Sequence, residues 1–223
     1  MAPIGLKFNF HPHETVFPCD VRDMRSSEPK LYPPAIYVLG PYDVKKGAHV
    51  YDTYKYTIHY RENPGVKLAN VGPQMGFHEG DTEFILSLHN KKTGTPEWVF
   101  YSAHSIQEGS WKSWDSANVE NRDDKEWQML NVYVALGSHA NYPSPGIKYR
   151  VALLANDEAS SSGLKWLVKA SELVKATDEL AAMSIGSNKM TKPIIPVDDT
   201  WSTTERITKP VTKAIKKKLS AVF

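Results

Sequence analysis

The chain has 223 residues, 27 Lys and Arg against 25 Asp and Glu, and 41% hydrophobic residues. That apolar content suits a buried core and argues against wholesale disorder, while a net charge of +2 argues against nucleic acid as a partner. A single cysteine, Cys19, excludes an internal disulfide framework and a Cys-rich zinc site.

The segment Met1 to Lys7 lacks the apolar core of a secretory signal. No run approaches the ~18 apolar residues of a membrane span. The expected location is therefore cytoplasmic, or outside the cell by a route without a signal peptide. Residues 8–34, rich in Pro, His, Asp and Glu, read as an irregular entry segment with short extended pieces.

Strands follow. In residues 48–60, Val50, Asp52, Tyr54, Tyr56, Ile58 and Tyr60 share one parity, and Tyr51, Thr53, Lys55, Thr57 and His59 the other. A period of two over that length predicts a half-buried strand. Further strands are predicted over 35–39, 82–89, 97–104, 130–137 and 149–155. Turn signals such as Asn90-Lys91-Lys92-Thr93-Gly94 and a polar stretch over 113–126 separate them. Strands at this spacing, with no helical pattern between them, predict a mainly β protein built as an antiparallel β-sandwich.

The period changes at Leu164. Leu164, Leu167, Val168, Val174 and Leu180 predict one or two peripheral helices up to Met183, although Trp166 and Val168 share a strand parity. Residues 186–200 read as a linker or strap. After Glu205 the chain has six basic residues and no acid, and Val211, Ile215, Leu219 and Val222 recur at helical spacing. This predicts a basic amphipathic C-terminal helix whose Lys213, Lys216 and Lys217 would face an anionic membrane or a partner. The organisation expected is a sandwich core over 1–155, helices and strap over 156–203 packed on the same domain, and a tail over 204–223.

The run Gly76-Phe77-His78-Glu79-Gly80-Asp81-Thr82-Glu83 has H-x-x-D-x-E spacing at the mouth of a strand. Side chains two apart point to one face, so Asp81 and Glu83 would share it, and His78 would fold over them from a turn. One imidazole and two carboxylates converging make a site for a divalent cation such as Ca²⁺ or Mg²⁺. The same pattern also fits a solvated turn. His104 and His139, each closing an apolar run beside small residues, would line the same end of the sandwich, or serve as structural histidines.

These residues carry a family resemblance. Phe10-His11-Pro12-His13-Glu14-Thr15-Val16-Phe17-Pro18 resembles the entry motif of the fungal vacuolar-protein-sorting-62 family and its plant relatives. His78 to Glu83 resembles that family's H-E-G-D-W-E, with Thr82 in place of Trp. Val99-Phe100-Tyr101-Ser102-Ala103-His104-Ser105 resembles its S-x-H strand, and Val132 to Pro143 its V-Y-V-A-x-G-S-H-A-x-Y-P. The same order is more distantly similar to the necrosis-inducing cytolysins of plant pathogens. The resemblance implies a β-sandwich with a divalent cation held by His78, Asp81 and Glu83. A further acidic ligand of the cytolysin pattern is replaced here by Asn70. In the cytolysins the ion helps to capture the sugar head group of a lipid without turnover.

Three functions follow as expectations. The first is cation-dependent capture of a glycan or lipid head group, with Trp111, Trp114 and Trp127 available to stack on sugar faces. The second is a metal-dependent hydrolase using His104 or His139 as acid or base, although no G-x-S-x-G nucleophile motif is present. The third is a structural or assembly protein that uses the fold as a scaffold, which leaves self-association open.

Overall fold

A computed structural model describes residues 3–24, 32–67, 74–75, 77–103, 105–121, 128–151 and 155–184. Within them the chain forms β1 (Gly5–Asn9), β2 (Pro18–Cys19), β3 (Tyr37–Lys46), β4 (His49–Asn63), β5 (Val66–Lys67), β6 (Gln74–Met75), β7 (His78–Asn90) and β8 (Pro96–Ala103). There follow β9 (Ser105–Ser113), β10 (Val119–Asn121), β11 (Gln128–Val134), β12 (Asn141–Tyr142), β13 (Gly146–Val151), β14 (Ala155–Ala159), β15 (Lys165–Val168), β16 (Val174–Lys175) and the helix α1 (Asp178–Met183).

The protein is mainly β, with two large sheets packed face to face. The seven-stranded sheet runs β16-β3-β4-β7-β8-β9, and β2 continues the line of β3 along the edge of β4. The five-stranded sheet runs β10-β11-β1-β15, with β12 added to β11. Most pairs are antiparallel, as expected, but β1 pairs parallel with β11 and β16 parallel with β3, so both sheets are mixed. The first exception has a plain cause: β1 enters between β11 and β15, which run in opposite directions.

Alternation places the core. Tyr54, Tyr56, Ile58 and Tyr60 of β4, Ile85 of β7, and Val99 and Tyr101 of β8 face Leu6 and Phe8 of β1 and Leu130, Val132 and Val134 of β11. All belong to one buried cluster, the favourable term that the strand pattern encodes. The outer face of the seven-stranded sheet is covered too. Phe84, Leu86, Leu88 and Phe100 form a second cluster, while Cys19, Val21, Met24 and Tyr37 form a third against Leu180, Ala181 and Met183. Strand β4, expected to be half-buried, is therefore buried on both faces: Thr53, Lys55, Thr57 and His59 are all enclosed.

The helical reading from Leu164 is corrected. Residues 165–168 are a strand because Leu6↔Val168 and Phe8↔Trp166 pair across β1 and β15, and the α-helix is confined to Asp178–Met183. Residues 156–203 thus contribute β15 and β16 to the two sheets. Among the described residues no helix is long and apolar enough to cross a membrane. The basic tail, with Lys213, Lys216 and Lys217, lies outside the described residues.

Candidate functional site

Strands β4 and β7 pair in one continuous register, with Tyr60 opposite Asp81 and Ile58 opposite Glu83. The even residues of β4 and the odd residues of β7 therefore point between the sheets. Asp81 and Glu83 share that inward face, as their spacing requires, and both are buried.

His139 reaches them from the other sheet. It follows β11 in a tight turn in which its N–H donates to the Ala135 carbonyl at 3.1 Å. The turn requires left-handed backbone: Gly137 has φ +69°, and His139 itself has φ +56°, a conformation that costs a non-glycine residue about 1 kcal/mol or more. Three contacts hold it. Glu14 Oε2 accepts the Gly137 N–H at 2.8 Å, the Asn63 amide donates to the Ser138 carbonyl at 3.4 Å, and Ser138 Oγ donates to Asp157 at 2.8 Å.

The imidazole so placed is completely enclosed. Its Nδ1 stands 2.9 Å from Asp81 Oδ2, and because a carboxylate only accepts, Nδ1 carries the proton. Asn63 donates to the same oxygen at 3.2 Å, and the Thr82 N–H occupies Asp81 Oδ1 at 2.9 Å. The ring stacks on Tyr60 with centroids 3.9 Å apart and planes 5° from parallel. On its far side Nε2 faces Glu14 Oε1 at 3.9 Å, beyond hydrogen-bond reach. Glu14 is fixed from its own segment, where Oε1 accepts the N–H groups of Thr15 and Val16 at 2.9 Å each.

The cluster is Glu14, Tyr60, Asn63, Asp81, Glu83 and His139. Burial, and then the neighbouring carboxylates of Asp81, Glu83 and Glu14, push the Tyr60 hydroxyl well above its ordinary pKa, so it remains a phenol. The Tyr60 hydroxyl, His139 Nε2 and Asn141 Oδ1 are buried without a hydrogen-bond partner among the described residues. Glu83 is engaged elsewhere: Ser102 Oγ donates to it and accepts the Phe84 N–H at 2.9 Å.

The expected residues are partly brought together. Asp81, Glu83 and His139 meet at one end of the sandwich. His78 does not join them: it is exposed at the rim, its Nδ1 donating to the Gly80 carbonyl at 2.9 Å. The reason is local, since Gly80 adopts φ +67°, which only glycine takes without strain, and so turns the chain between His78 and Asp81. The hydrogen bond leaves His78 Nε2 as a free acceptor, the form in which histidine binds a cation. Among the described residues, however, no group of three His, Cys, Asp or Glu side chains is arranged to hold a metal ion. Asn70 and His104 lie outside the described residues, as does Trp127.

Glu14, Tyr60 and Asn63 carry no assigned role in the sequence reading. Glu14 lay in a recognisable motif, and Tyr60 ended the alternating set of β4, so both had a signal. Asn63 had none. Trp111 packs on Phe100, with ring centres 5.1 Å apart, and Trp114 lies partly buried against the core at the opposite end. Compared with known proteins, the chain matches no family model, no curated protein and no solved structure.

Proposed function

We propose that this protein captures a ligand without transforming it, and that the ligand is a glycan or lipid head group held at the rim beside the His139 cluster. One observation carries the reading. Within the cluster, the groups able to act as acid or base are sealed, with His139 at 0%, Glu83 at 2% and Asp81 at 7% exposure. A general acid or base must come within about 3 Å of the proton it moves, and enclosed side chains give a bound molecule no such approach.

The rim above them is open. Phe77 is 55% exposed, and His78 and Glu79 beside it are exposed as well. An aromatic ring, a free imidazole acceptor and a carboxylate in succession suit the apolar face and hydroxyls of a sugar. The buried cluster serves that surface by fixing the start of β7. The cation dependence implied by the resemblance belongs to the same proposal, with His78 Nε2 as the available donor.

Glycan and lipid arrays probed with Ca²⁺, with Mg²⁺ and with chelator test the reading. Saturable binding by the wild type, reduced roughly tenfold or more in Phe77→Ala and in His78→Ala, is expected. No binding to either array, or equal binding by both variants, would overturn it. Loss of binding in chelator would support the cation, and unchanged binding would remove it while leaving capture in place.

A further inference from the structure

Strand β7 runs from the His139 cluster to Asn90, and near its far end a chain of hydrogen bonds ties the entry of β1 to a buried histidine. The Ile4 N–H donates to Tyr56 Oη at 2.9 Å. Tyr56 Oη stands 3.0 Å from Ser87 Oγ, and Ser87 Oγ stands 2.8 Å from His89 Nε2. The chain closes at His89 Nδ1, 3.2 Å from the Gly94 carbonyl. Ile4, Tyr56, Ser87 and His89 are all buried. Ile4 precedes the first paired residue of β1, so its N–H bonds to the phenol and not to the sheet ladder.

The end groups fix the direction of every proton. A carbonyl only accepts, so Nδ1 carries the proton of His89 and Nε2 of the neutral ring accepts. Ser87 gives its one hydrogen to Nε2, Tyr56 then donates to Ser87, and the phenol oxygen is left to receive the Ile4 N–H. Protonation of His89 reverses this order. Nε2 donates to Ser87, Ser87 turns its hydrogen to Tyr56, and the Tyr56 hydrogen is driven against the Ile4 N–H. Two buried donors then face each other with no acceptor between them, a cost relieved by opening the contact.

Burial is the largest influence on His89 and lowers its pKa from 6.5, and the amino terminus of the chain acts in the same direction. The Gly94 carbonyl and the Asp52 carboxylate, opposite His89 in register, raise it without prevailing, and Lys91 Nζ stands 3.5 Å from that carboxylate. Tyr54 meets the ring edge-on at 5.1 Å, and burial pushes the Tyr56 hydroxyl up, so it remains a phenol. The closed arrangement thus binds the proton less readily than the opened one. Closure is complete above pH 6.5 and weakens as pH falls below it.

We propose that the Tyr56–Ser87–His89 relay is a pH-sensitive latch that holds the entry of β1 closed at neutral pH and releases it in acid. Hydrogen exchange of the Ile4 amide tests it, followed by NMR in the full chain at pH 7 and pH 5 and corrected for the intrinsic rate. The Leu130 amide of β11 marks global opening. The opening equilibrium at Ile4 is expected to rise about tenfold from pH 7 to pH 5, while Leu130 keeps its protection. His89→Gln, neutral throughout, and Ser87→Ala, which cuts His89 from Tyr56, should each remove the rise. In the wild type, long-range ¹⁵N couplings of the imidazole should place its proton on Nδ1 at pH 7, a measurement that needs no variant. The proposal is overturned if opening at Ile4 is equal at the two pH values, if Leu130 opens by the same factor, if either folded variant keeps the rise, or if Nε2 carries the proton at pH 7.

Discussion

His139 and His59 are both completely enclosed, yet the molecule handles them in opposite ways. His139, between the sheets, lies between two carboxylates, Asp81 at 2.9 Å and Glu14 at 3.9 Å, and is held on a turn with left-handed backbone. His59, on the outer face of β4, meets the Ser184 hydroxyl at 3.1 Å and lies edge-on to Tyr37, and its Nδ1 has no hydrogen-bond partner among the described residues. Burial, outweighing the carboxylate of Asp20, pushes its pKa down to about 4. Lys55, two turns of the alternation away on the same face, is treated likewise: burial lowers it to about 8 above the Phe84 ring. One region therefore keeps its ionisable groups by pairing them, which demands exact placement. The other keeps them by favouring the neutral form, which demands only cover.

The difference is sharpest on deletion of a partner. Asp81→Ala would strand the Nδ1–H of His139 and the Asn63 amide in the interior, an expected loss of about 3–5 kcal/mol in urea unfolding. Asp81→Asn keeps the volume and one acceptor and should lose about half as much. A loss below about 1 kcal/mol for Asp81→Ala would mean that the pairing is incidental.

The region that favours neutral forms should respond to pH. The folded pKa of His59, about 4, lies below its ordinary 6.5, so the unfolded chain binds the proton more readily. The stability that depends on neutral His59 is complete above pH 6.5 and is lost as pH falls to about 4, amounting to about 3 kcal/mol. His59→Gln should flatten unfolding free energy against pH in that window, and an equal slope in both proteins would contradict the assignment.

Lys55 gives the same case at higher pH. Its folded pKa of about 8 lies below 10.5, so the unfolded chain holds the proton longer and stability rises with pH between those values. Lys55→Met should gain roughly 1–3 kcal/mol at neutral pH and remove the rise. The smallest effect is expected at the rim. His78→Ala, an exposed substitution, should change stability by less than about 0.5 kcal/mol while weakening capture.

The same contrast explains what the sequence discloses. The alternation in β4 and the apolar run in β7 reveal both strands and the shared face of Asp81 and Glu83, because these are local periodicities. Strand β1 carries the same kind of signal, since Ile4, Leu6, Phe8 and Phe10 alternate with Gly5, Lys7 and Asn9. Strand β15 resembled a helix because Leu164, Leu167 and Val168 fit that period, and only pairing with β1 decides the matter. The enclosure of Thr53, Lys55, Thr57 and His59 is not legible, since part of the cover comes from α1, more than a hundred residues away. Glu14 escaped for the same reason, as its bond to Gly137 spans 123 positions. Strand-local chemistry was readable, and the contacts that seal it were not.

Native mass spectrometry of the full chain, incubated with the glycans and lipids that it retains on arrays, addresses capture without turnover most directly. The sealed state of Asp81, Glu83 and His139 predicts adducts of intact ligand mass and no product, even after prolonged incubation. Cleaved ligand accumulating in molar excess over the protein, and ceasing to accumulate in His139→Gln, would contradict it.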